Sequence, residues 1–154
     1  MHNNNSEEKF NDLFDKNKTV GALPLFRSIT ILSKDCVKIV FNLQKDIKQS
    51  FGKRILDEIC DSVKSLRAAY RAKQVDIKYE NIKELEGHIE DISLLFKLLF
   101  EIGEVPKKNQ ANLSKQFGEI MMQINGWKVH TDKTIYKVTI YEKAEKSTEG
   151  FDEN

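Results

Sequence analysis

Apolar residues recur along most of the chain at alternating steps of three and four, the spacing that gathers side chains onto one face of an α-helix. Four such lines can be followed. Ile29, Leu32, Cys36, Ile39 and Leu43 predict a first helix over residues 25–48, and Leu56, Ile59, Val63, Leu66 and Tyr70 a second over 50–73. Ile82, Leu85, Ile89, Ile92, Phe96 and Leu99 form the longest unbroken line and mark a third. Leu113, Phe117, Ile120, Ile124 and Trp127 mark the fourth.

The punctuation between the lines agrees with this reading. Pro24 suits a helix start and Ser50 can cap the second helix, with Gly52 in its first turn, where low propensity costs least. Gly103 can take the left-handed conformation that closes the third helix, and Pro106 opens the fourth. Links this short join neighbouring antiparallel helices, so residues 23–128 are expected to form an all-α, up-down-up-down four-helix bundle.

The flanks read differently. Residues 1–22 are polar and of mixed charge, an expected mobile tail in which Phe10, Leu13 and Phe14 offer at most one helical turn. Beyond Trp127 the pattern becomes alternating. Tyr136, Val138 and Ile140 would share one face of a short strand over 134–141, which without a ladder partner is either disordered or pairs with another copy or protein, inside a C-terminal tail of residues 129–154 that ends acidic.

Some large side chains fall off the lines. Val37 and Phe41 of the first helix and Leu94 and Leu98 of the third point away from their own cores, which makes them candidates for a subunit interface, although single surface apolar residues are ordinary.

The net charge of +1 comes from 25 Lys/Arg and 24 Asp/Glu, and it hides an asymmetry. Residues 23–75 hold eleven Lys/Arg against five Asp/Glu, whereas residues 76–103 hold three against seven. On the second helix Lys53, Lys64, Arg67 and Arg71 follow the apolar line about a quarter turn away, forming a basic edge beside the buried seam. Arg67 and Arg71 have no acidic residue three or four positions away. The edge either meets a polyanion or offsets the negative end of the helix dipole. With Lys45, Lys48, Arg54 and Lys73 these residues are the candidate phosphate contacts. Trp127 continues the fourth core line, so it reads as a bundle-closing anchor rather than a base-stacking platform.

Catalytic and metal chemistry is not expected. Di-iron bundles use two Glu-x-x-His motifs, and the chain has none. His88 with Glu84 one turn before it reads as a solvated helix face, and nothing in the sequence brings Glu58, Glu101 and Glu119 together. No phosphate-binding loop, dinucleotide fingerprint, nucleophile elbow or Cys-x-x-Cys is present. The two cysteines, Cys36 and Cys60, fall on or beside core lines and read as small hydrophobes, with a reducing cytoplasm as the expected setting.

Several stretches together resemble a known family. SFGKRI (residues 50–55), the RAAYRAK end of the second helix (67–73), LLFKLLFEIGEVPKKNQANLSKQFGEI through the third link, and Asn125-Gly126-Trp127-Lys128 at the close of the fourth helix are similar to the accessory variability determinant (Avd) proteins of diversity-generating retroelements. Relatives of that family are encoded by intervening sequences in bacterial ribosomal RNA genes. The resemblance spans residues 23–128. It implies a non-enzymatic, barrel-like homopentamer without cofactors that binds the retroelement's reverse transcriptase and its template RNA, supporting cDNA synthesis for mutagenic retrohoming. A structural or interaction bundle of the intervening-sequence type, with no retroelement role, is the alternative.

Overall fold

A computed structural model describes residues 23–149, which are helical apart from short links. Helix α1 is Pro24–Phe41. Helix α2 is continuous through three pieces: a short turn Lys45–Ile47, a π-helical turn Lys48–Gly52 and the α segment Lys53–Arg71. Helix α3 is Val75–Glu101 and α4 is Lys107–Glu149. They pack as a four-helix bundle around one apolar cluster.

The first helix is shorter than its periodicity suggested, and the second begins earlier. The chain turns at Asn42–Leu43, whose N–H groups donate to Ile39 and Val40 carbonyls at 3.0 and 3.2 Å. Lys45 and Lys48 therefore belong to α2. Ser50 is no cap: inside the π turn its hydroxyl donates back to the Asp46 carbonyl at 2.9 Å. Gly52 is needed for closeness rather than tolerated at a helix end. It is buried against α1, and a Cβ placed there would lie 2.9 Å from Val40 Cγ1.

The end of α3 is built as expected. Gly103 has φ +80°, Glu104 N–H donates to the Leu99 carbonyl at 3.0 Å and Gly103 N–H to Phe100 at 3.1 Å. This pair of bonds satisfies carbonyls the helix leaves open, and the positive φ is what the glycine supplies. Pro106 then precedes α4, its carbonyl accepting from Asn109 and Gln110.

Three of the four apolar lines form the core as their spacing predicted. Every residue of the α1 and α3 lines is buried, and so are Leu113, Phe117, Ile120 and Ile124 of α4, with Trp127 packed at the edge. The line on α2 does not. Its buried residues are Ile55, Glu58, Ser62, Ser65, Leu66 and Ala69; of the expected line only Leu66 is fully buried, Leu56 and Ile59 pack half-buried against the core, Tyr70 is half-buried and Val63 is 38% exposed. A slip of one residue turns a helical face by about 100°.

Packing against α3 explains the choice. The α3 line is made of large side chains, and small Ser62, Ser65 and Ala69 opposite them let the two helices approach closely, large meeting small. Ser62 satisfies its hydroxyl on the Ile59 carbonyl at 2.7 Å, so burying it leaves no open donor. The displaced Ile59 and Val63 instead line an apolar groove with Phe26 and Val37 of α1.

No strand occurs among the described residues. The expected strand at 134–141 is part of α4, where Thr134 and Thr139 hydroxyls bond carbonyls four residues back. Residues 129–149 are likewise helix. The N-terminal tail expected over residues 1–22 lies outside the described residues.

Candidate functional site

Turning α2 by one residue also moves its cations. Lys53, Lys64, Arg67 and Arg71 do not lie beside the buried seam; they stand about half a turn from Ser62 and Ala69, on the outward face, and all four are exposed. Arg67 and Arg71 form no ion pair among the described residues, whereas Lys64 sits 3.4 Å from Asp61. Cys60 shares this outward face and is exposed, contrary to its expected place near the core.

The remaining candidate contacts scatter. Lys45 is exposed at the start of α2 and Lys73 in the link beyond its end, and Lys48 lies half-buried over the Phe41 ring with Nζ 5.9 Å from its centroid. Arg54 is engaged within its own helix, with its guanidinium 2.7 Å from Glu58 Oε1. Of the candidate interface residues, Phe41, Leu94 and Leu98 are 64%, 59% and 50% exposed, while Val37 is half-buried in the α1–α2 groove.

Glu58 is the polar centre that the periodicity did not reveal. It is 3% exposed on the core face of α2, and its second oxygen, Oε2, lies 2.6 Å from His88 Nδ1 of α3. His88 is thus no solvated bystander to Glu84. Both carboxylate oxygens are engaged, and the arrangement clamps α2 to α3. The signal in the sequence was the Arg54–Glu58 spacing of four, which pairs opposite charges on one helix. Glu101 and Glu119 are exposed and take no part.

Two further polar links fix α4. Lys128 Nζ donates to both oxygens of Glu86 at 2.8 and 2.7 Å, and this bond, partly opposed by burial, raises the ammonium pKa above its ordinary value. Asp35 of α1 accepts from Asn112 and Gln116 of α4 at 3.2 and 2.7 Å. Burial, reinforced by the neighbouring Asp35 charge, pushes the Cys36 thiol up to about 12, which keeps it protonated and unreactive.

Among the described residues no group of three or more His, Cys, Asp or Glu could hold a metal ion, and no helix is long and apolar enough to cross a membrane. Compared with known proteins, the chain matches no family model, no curated protein and no solved structure.

Proposed function

We propose that this chain is a non-enzymatic accessory subunit of a diversity-generating retroelement, binding template RNA and the element's reverse transcriptase. The RNA-binding surface in this reading is the outward face of α2. The observation that carries it is the exposed line Lys53, Lys64, Arg67 and Arg71, in which the two arginines lack an ion-pair partner among the described residues. A row of cations on a convex helix meets phosphates, which position a nucleic acid without reading its sequence. The sequence resemblance to Avd proteins supplies the retroelement part.

An up-down-up-down course of the helices belongs to the same reading, supported by bonds whose residue numbers rise along α1 as they fall along α4. So does a cytoplasmic ring of five copies. Exposed Phe41 on α1 and Leu94 and Leu98 on α3 are different patches on different helices, which suits the head-to-tail contact that closes rings.

The second reading, an interaction bundle of the intervening-sequence type, has one observation in its favour. Asp57 and Asp61 interleave with the cations of α2, and Asp61 already pairs with Lys64. Fluorescence anisotropy with a labelled single-stranded RNA separates the two. Four phosphate contacts should weaken binding about fifty-fold between roughly 50 and 200 mM salt, with little preference among sequences. Reversing Arg67→Glu and Arg71→Glu together should abolish it. Binding indifferent to that double variant would remove α2 from the site, and no binding at low salt would leave the second reading.

A further inference from the structure

The one-residue turn of α2 opens an apolar groove along its border with α1. Val37, Ile59 and Val63 line it, with Phe26 at one end, around a volume of about 460 Å³. The hydroxyls in its wall are spent within α1: Thr30 donates to the Phe26 carbonyl at 2.8 Å and Ser33 to the Ile29 carbonyl at 2.7 Å. Phe41, one turn beyond Val37 on the same side of α1, extends the strip and is exposed.

The rim of the groove is cationic. Lys34 and Lys38 line it from α1, and Arg67 stands one turn from Val63 on α2; all three are exposed. The acids of the two helices lie elsewhere. Asp35, Asp57 and Asp61 are each two positions from a groove residue, about 200° round the helix, and Glu58 is in the core. Asp46 sits at the start of α2 between Lys45 and Lys48, beyond the groove.

The matching face is on α3. Leu94 and Leu98 stand two positions from buried Ile92 and Phe96, so they point straight outward, and Asp91 and Glu101 continue them as one line at steps of three, four and three. Residues 90–104 hold four acids, Glu90, Asp91, Glu101 and Glu104, against the single cation Lys97, which is turned about 100° from Leu98. Lys107 and Lys108 come only beyond Pro106, and Arg54 on the neighbouring α2 is already bound to Glu58. Helix α1 borders α2 and α4, with α3 diagonal to it, so this outward line cannot reach the groove of its own chain. Two α3 faces brought together would set acid against acid, and two grooves lysine against lysine. Each surface is complementary to the other alone.

We propose that Leu94 and Leu98 of one copy seat in the α1–α2 groove of the next, against Val37, Ile59 and Val63, with Asp91 and Glu101 reaching the Lys34, Lys38 and Arg67 rim. A helix laid in a groove between two others buries its apolar line there, and the flanking charges fix its register and exclude the wrong pairing. The contact is head-to-tail, with one donor line and one groove on every copy. It rests on the assembly proposed above, for which it names both surfaces, and not on RNA binding.

Sedimentation of complementary variants tests the contact. Leu94→Asp with Leu98→Asp removes the donor line, and Val63→Glu places a charge in the groove; all three positions are exposed, so circular dichroism should show native helix content. Each variant alone should run as a single 17.9 kDa chain. An equimolar mixture should give a two-chain species and nothing larger, because it restores one intact donor and one intact groove. On the exposed rim, Lys34→Glu with Lys38→Glu should weaken self-association about tenfold or more, and adding Asp91→Lys with Glu101→Lys in the same chain should restore most of it. A Val63→Glu chain that assembles like the native protein, or a mixture that stays as single chains, would overturn the proposal and leave an assembly built on other surfaces. A native protein that is itself a single chain at micromolar concentration would overturn the proposal and the assembly together. Neither result bears on RNA binding, which the anisotropy measurement reads separately.

Discussion

Glu58 is a carboxylate held at 3% exposure between a guanidinium and an imidazole, and its position sets the cost of losing either neighbour. Replacing His88→Ala leaves Oε2 buried without its partner. A stranded buried acceptor costs about 1–3 kcal/mol, and the loss should appear as a lower denaturation midpoint with an unchanged denaturant slope. A double-mutant cycle with Glu58→Ala should show coupling, since the two residues share one interaction. Glu58 was legible as half of an i,i+4 pair with Arg54, but not as core. Nothing local distinguishes a glutamate facing solvent from one facing a histidine thirty positions away.

At the scale of the element, α2 depends on the π turn that delivers it to α1. Gly52→Ala adds a methyl 2.9 Å from the buried Val40 side chain, where overpacking outweighs the gain in helix propensity. A net loss of about 1–2 kcal/mol is expected by thermal or denaturant unfolding, with Val40→Ala in the same chain restoring part of it. Helix α4 is tied to α3 by Lys128 and Glu86. The folded state raises the Lys128 pKa, so its stabilisation is complete below the unfolded value, about 10.4, and is lost as pH rises through the higher folded value. The unfolding midpoints of the native chain and Lys128→Met should therefore differ most at pH 7, with a gap that narrows as pH is raised above the ordinary lysine value. A gap that does not change with pH would mean packing of the lysine stem, not its charge, is the source. The 134–141 stretch shows why element type can mislead. Its β-branched and aromatic residues favour a strand. With no second strand to pair among the described residues, continuing a helix that begins at Lys107 satisfies the backbone groups of this stretch locally.

For the whole molecule, Phe41, Leu94 and Leu98 are the test of assembly. Sedimentation should give a mass that is a multiple of the 17.9 kDa chain, five-fold in the reading proposed above, and Leu94→Asp with Leu98→Asp should reduce it to one. A single-chain mass for the native protein would leave those side chains as scattered surface residues. The sequence by itself determined the helical class, three of the four core lines and the glycine that ends α3, because periodicity and backbone stereochemistry act within a few residues of the chain. The tertiary structure alone decided the face of α2. Its two candidate lines differ by one position, and choosing between them required knowing that α2 packs against α3, whose buried line consists of bulky side chains. Small residues, a clamped glutamate and an outward row of cations follow from that contact, which no spacing along a single helix encodes.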